Sequence, residues 1–168
     1  MSRIFVVFSM LVLMATGGTA FAQDPVGCDK FKWPLDQERA LLAAATPVAP
    51  ASELAKPLAG AAELALVPFA EAKLPRPPAR QPKSPDSYAG FIRYAALPRA
   101  ATYRVTLSDA AWIDVMQDAR EVTSVDHTGV LECSGIRKSV KFNLAASPFV
   151  IEISGTTARS IAIVVTAD

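Results

Sequence analysis

Residues 139–166 read SVKFNLAASPFVIEISGTTARSIAIVVT, and the alternation in that stretch decides the fold. Val140, Phe142 and Leu144 alternate with Ser139, Lys141 and Asn143. Phe149, Ile151 and Ile153 alternate with Val150, Glu152 and Ser154, and Ile161, Ile163 and Val165 with Ala162, Val164 and Thr166. Successive side chains of a strand point to opposite faces, so each run presents one apolar face to a core. The intervening AASP (145–148) and SGT (154–156) carry turn chemistry.

Towards the N-terminus the same pattern recurs in YAGFIRY (88–94), in Tyr103, Val105 and Leu107, and in AWIDVMQ (111–117). A weaker strand candidate spans Val122–Asp126. In 111–117 the apolar Ile113 and Val115 face one way, while Trp112, Asp114 and Met116 face the other. Short alternating runs at intervals of about 8–12 residues predict an antiparallel β-sandwich. Such sheets keep one face wet, which predicts solvent around Arg104, Lys141 and Glu152.

Composition changes near residue 87. Of the 13 prolines, all but Pro98 and Pro148 lie between Pro25 and Pro85. DQERALLAAA (36–45) predicts one helix, with Asp36 as cap, Glu38 in the first turn and Leu41/Leu42 as its apolar stripe. Pro47 and Pro50 end it. A helix this short must dock to persist. Ala62–Phe69 reads as a strand that Pro68 confines to an edge. PRPPARQPKSP (75–85) reads as a polyproline strap. Trp33, beside Pro34, is expected to anchor the N-terminal segment. The domain organisation is therefore 1–22 as leader, 23–86 as helix, edge strand and strap, and 87–168 as sandwich.

The leader reading rests on Arg3, the apolar run Ile4–Ala15 and the site Ala20-Phe21-Ala22, which together fit a secretory signal peptide. The run is shorter than the roughly 20 residues a membrane span requires. A retained anchor is the alternative. Cleavage would start the mature chain at Gln23, in the periplasm or outside the cell, with no membrane insertion. The chain has two cysteines, Cys28 and Cys133, and in an oxidising compartment they read as one disulfide. Lipidation of Cys28 is the alternative, although Pro25-Val26-Gly27 lacks the usual upstream aliphatic residue.

ATYRVTLS (101–108), WIDV (112–115) and FVIEISG (149–155) together resemble jelly-roll modules appended to secreted bacterial enzymes. Those modules carry a tyrosine-x-valine-x-leucine-serine strand and a late strand ending in leucine-serine-glycine. The mature chain is also similar to short exported proteobacterial proteins without an established activity, some of them named homogentisate 1,2-dioxygenase. The resemblance covers mainly residues 87–168 and implies a mainly β, jelly-roll-like sandwich. It carries no functional residue onto this chain.

The available chemistry is narrow. Only Arg3 among the 17 Lys and Arg lies in the leader, so the mature chain balances its 16 carboxylates. That balance gives no long-range pull towards nucleic acid. His127 is the single histidine, whereas an iron dioxygenase of the homogentisate type requires two with a carboxylate. G-x-S-x-G, S-x-x-K, C-x-x-C, P-loop and G-x-G-x-x-G motifs are absent from the sequence. Asp114, Asp118, Glu121 and Asp126 are the one concentration of carboxylates, with Asp114 and Asp118 read on one strand face. Asp109, Asp118, Asp126 and His127 are weak metal candidates, with Ca2+ as the cation. Trp112 with Asp114 is the ligand-binding candidate, an aromatic platform beside an acid that accepts sugar hydroxyls. Burial of that face under the helix and the strap is the rival. Arg137-Lys138, with Lys141, reads either as a solvated strand start or as a receptor for an anion.

These features point to a monomeric, exported, non-catalytic binding or accessory protein, with carbohydrate or an envelope component as ligand. The alternatives are a carboxylate- or metal-dependent hydrolase and a module that binds another protein through a sheet edge or the strap.

Overall fold

In the computed structural model the described residues are 24–55, 57 and 60–168. The predicted leader and the mature start at Gln23 lie outside them. Helix α1 spans Asp36–Ala43. Twelve strands follow: β1 (Thr46–Val48), β2 (Ser52–Leu54), β3 (Ala62–Ala65), β4 (Val67–Pro68), β5 (Tyr88–Tyr94), β6 (Ala101–Leu107), β7 (Trp112–Gln117), β8 (Arg120–Glu121), β9 (Ser124–Gly129), β10 (Lys138–Leu144), β11 (Phe149–Thr156) and β12 (Ser160–Ala167).

The strands form two sheets, ordered β1-β3-β12-β6-β10-β9 and β2-β5-β11-β7-β8, with β4 paired to β5. Four antiparallel pairings, β3 with β12, β5 with β11, β6 with β10 and β7 with β8, nest one inside the next along the chain. A long hairpin rolled across two facing sheets has this order, which is the jelly roll. The fold is therefore mainly β and sandwich-like, with one short helix and a strap. The short N-terminal strands make both sheets mixed, since β1 joins β3 and β2 joins β5 in parallel.

The alternating apolar residues meet between the sheets. Tyr103, Val105, Leu107, Val140, Phe142, Leu144, Ile161, Ile163 and Val165 of one sheet pack against Ile92, Tyr94, Ile113, Val115, Phe149, Ile151 and Ile153 of the other. Tyr94 and Phe149 stack with ring centroids 5.0 Å apart. Burial holds the Tyr94 hydroxyl well above its ordinary pKa.

The N-terminal segment covers the outer face of the first sheet. Leu35 and Leu42 of the helical region meet Ala162, Val164 and Ile136 in a second apolar cluster, joined by Phe31 and Trp33. Strand β12 is thus covered on both faces, which explains its continuous apolar run IAIVV. Glu38, 3 % exposed, accepts hydrogen bonds from Arg104 Nη1 (3.1 Å) and Thr166 Oγ1 (2.7 Å) and so fixes the helix to the sheet. Arg104 and Lys141 both donate to Asp168, whose carboxyl is held below its ordinary range first by Lys141. Trp33 lies under Lys141, 4.4 Å from its ring centroid, and anchors the segment as expected. The disulfide Cys28–Cys133 joins this segment to the β9–β10 connection.

Several local expectations need correction. The α1 cap is Leu35 with no side-chain bond, and Asp36 instead pairs with Arg39 in the first turn. The helix ends at Ala43, because Ala44 and Ala45 already close it with backbone bonds to Leu41 and Leu42. Ala62–Phe69 is split: β3 lies inside the first sheet and only β4, at Pro68, runs along an edge of the second. The weaker strand candidate starts later, at Ser124, and runs to Gly129. Arg104, Lys141 and Glu152 do lie on outer faces, but those faces are covered rather than wet. The N-terminal segment shields the first two side chains to 19 % exposure, Arg104 through Glu38 of the helix and Lys141 through Trp33.

Candidate functional site

The strap crosses the outer face of the second sheet, and two carboxylates hold it there. Ala79 N–H donates to Asp114 Oδ2 at 3.1 Å, and Arg76 N–H donates to Glu152 Oε1 at 3.0 Å. Pro77 and Pro78 have no N–H, so these two donors are the ones flanking the pair. Asp114 and Glu152 are register partners on β7 and β11 and stand side by side, 8 % and 2 % exposed. Burial, then the neighbouring Asp114 charge, push the Glu152 carboxyl above its ordinary pKa, against the Arg76 bond that lowers it. Two buried carboxylates could suggest glycosidase chemistry. Here both are covered by the segment they anchor.

Trp112 opens the same strand face. Its indole N–H donates to Asp114 Oδ1 at 2.8 Å, so Asp114 has both oxygens committed within the protein. Each Asp114 oxygen thus carries one bond from within the protein, and the residue positions both the indole and the strap. Trp112 itself is half-buried, next to the strap and not beneath residues 31–45, which lie on the other sheet.

Around Trp112 lies a cleft of about 580 Å³, at the end of the sandwich where strap, β7, β9, β10 and β11 converge. Arg80, Lys83, Arg137, Lys138, His127 and Asp24 are its charged or titratable lining groups. The Arg80 guanidinium is 5.5 Å from the Trp112 ring centroid and Lys138 Nζ is 5.2 Å from it. Lys138 also donates to Ala111 O at 3.2 Å. Its burial, reinforced by the Arg137 and Arg80 charges, lowers its pKa from the ordinary lysine value, while Asp24 and Asp114 oppose that shift. Arg137 pairs with Asp24 at 2.7 Å. Ser154, register partner of Trp112, lines the cleft at 2 % exposure, and its hydroxyl has no hydrogen-bond partner among the described residues.

The metal candidates do not converge. Asp109 accepts its neighbour Ala110 N–H, Asp126 accepts from Lys32 Nζ, and His127 is exposed on β9. Asp118 does not share the face of Asp114, because β7 ends at Gln117 and Asp118 and Ala119 form the turn to β8. The described residues hold no group of three or more His, Cys, Asp or Glu side chains able to share a metal ion.

Sequence reasoning singled out Trp112 with Asp114 and, separately, Arg137-Lys138 with Lys141; it did not bring Ser154, Arg80 and Lys83 together with Trp112, Arg137 and Lys138 in one cleft. Ser154 reaches Trp112 through β11–β7 pairing, and the strap cations arrive by a crossing that no local pattern announces. No protein-family model, curated protein or solved structure gives a significant match to the chain.

Proposed function

We propose that this chain is an exported, non-catalytic binding protein of the periplasm that takes a carbohydrate-type envelope ligand in the cleft beside Trp112. The observation that carries the reading is the cleft itself: an aromatic ring, fixed at its N–H by Asp114, in the lining of a space of about 580 Å³. A few fixed polar groups around an aromatic surface are the usual composition of a small-molecule site. The disulfide supports an oxidising, non-cytoplasmic compartment, and among the described residues no helix is long and apolar enough to cross a membrane.

Two measurements test the proposal. Mass spectrometry of the protein from a periplasmic fraction is expected to show a chain starting at Gln23 with Cys28 joined to Cys133. A glycan-binding screen is expected to give hits that Trp112→Leu abolishes while the variant keeps its circular dichroism spectrum. Cytoplasmic protein starting at Met1 with both thiols reduced would refute export. Glycan hits insensitive to Trp112 would refute the site.

A further inference from the structure

We infer that the cleft selects an acidic saccharide, one that carries a carboxylate or a phosphate, over its neutral counterpart; this deepens the binding reading above and rests on it. Charge is the first ground. The mature chain as proposed has equal numbers of cations and carboxylates, yet the cleft lining gathers Arg80, Lys83, Arg137 and Lys138 against Asp24, with Asp114 behind the indole. Among the described residues Arg137 is the one member of that group with a carboxylate partner. Arg80, Lys83 and Lys138 have none within salt-bridge distance among the described residues.

Crowding is the second ground. Arg80 and Lys138 both sit within 6 Å of one indole ring, at 5.5 and 5.2 Å. The Asp24 and Asp114 charges offset part of the repulsion at Lys138, and an anionic ligand group beside Arg80 and Lys138 relieves the remainder. Guanidinium and ammonium groups suit either carboxylate or phosphate oxygens.

The third ground is the unpartnered Ser154 hydroxyl, which is buried in the cleft lining opposite Trp112. A buried hydroxyl without a partner is a destabilising feature, and a ligand oxygen would satisfy it once a neighbouring side chain of the wall gives way. The walls are close-set around these groups. A Cβ built on Gly129 would lie 3.1 Å from Arg137 Nη1, and one on Gly155 would lie 4.0 Å from Pro82 Cα of the strap. Gly129 therefore leaves the Arg137 guanidinium its place beside the cleft.

Isothermal titration of the purified, disulfide-bonded protein tests the inference with matched probes: cellotetraose against its C6-carboxylated form, glucose against glucose 6-phosphate, and inorganic phosphate alone. At least one acidic sugar is expected to bind about tenfold or more tightly than its neutral match, with affinity falling as salt rises. The arm that responds identifies carboxylate or phosphate as the group recognised. Arg80→Gln, on the exposed strap, is expected to weaken that binding by about tenfold, and Lys138→Gln similarly, with neutral sugars unaffected. Equal binding of acidic and neutral sugars would overturn the charge selection and leave the carbohydrate reading standing. Inorganic phosphate binding as tightly as glucose 6-phosphate would overturn selection of a saccharide. No binding of any sugar would overturn the underlying reading together with the inference.

Discussion

Replacing Asp114 with asparagine isolates the chemistry that holds the strap to the sandwich and the indole in place. Oδ1 accepts the Trp112 N–H at 2.8 Å and Oδ2 accepts the Ala79 N–H at 3.1 Å. Asparagine has one acceptor oxygen, so its amide nitrogen must face one of those two donors. A hydrogen bond to a charged group contributes about 1.5–3 kcal/mol, and because both donors are only part-buried water offsets some of the loss when either bond is broken. One gain opposes the loss. The Asp114 charge helps to raise the Glu152 pKa, so its removal relieves a like-charge contact. The net expectation for Asp114→Asn is a destabilisation of about 1–2 kcal/mol, and for Asp114→Ala, which orphans both donors, about 2–4 kcal/mol. Urea unfolding gives the order alanine, asparagine, wild type, from least to most stable. Hydrogen exchange gives the location, with amide protection lost at Ala79 first and at Arg76 with it. An asparagine variant as stable as wild type, with the Ala79 amide still protected, would refute the role of Asp114 as the clasp.

Glu152→Gln tests the second anchor through pH. The folded carboxyl titrates above the ordinary 4.5, so stability is full below that value, falls as pH rises through the folded pKa and is flat above it. Glutamine keeps an acceptor for Arg76 N–H without the buried charge. The variant is therefore expected to exceed wild type in urea midpoint at neutral pH, with the advantage vanishing below about pH 4.5; a pH-independent difference would contradict this. Replacing both Cys28 and Cys133 by alanine opens a loop of sequence separation 105. The expected loss is up to about 4–5 kcal/mol by denaturant titration, and a loss below about 1 kcal/mol would show that the helix docks without the staple. Ala119 holds φ of 61° in the β7–β8 turn. Ala119→Gly is expected to stabilise by about 0.5–1 kcal/mol in thermal unfolding, and a lower melting temperature would exclude backbone strain there.

The contrast between Val164 and Glu152 shows where sequence reading stops. Period-two alternation places both on the face opposite the core. Val164 is nevertheless buried against the helical segment, and Glu152 lies beneath the strap. Alternation reports only which face a side chain takes, not what later covers that face. The same limit applies at the cleft. Trp112 and Asp114 are two residues apart on one strand, so their partnership was legible, as was the Arg137-Lys138 pair. Ser154 and Arg80 come from 42 and 32 residues away in sequence, through strand register and the path of the strap.

The chain's own pattern determined β5, β6, β7, β10, β11 and β12 with their core faces, the docked helix, the strap and the pairing of its two cysteines, but not the short strands β1, β2 and β8. The reason is that side-chain alternation, proline's missing donor and a two-cysteine count are local or arithmetical properties. Tertiary structure alone decided that the helix covers one sheet and the strap the other. It also committed both oxygens of Asp114 to the protein and gathered cations from distant segments around one indole. Those outcomes depend on long-range packing and on which buried carboxylate meets which free N–H, and neither is written in any single stretch of sequence.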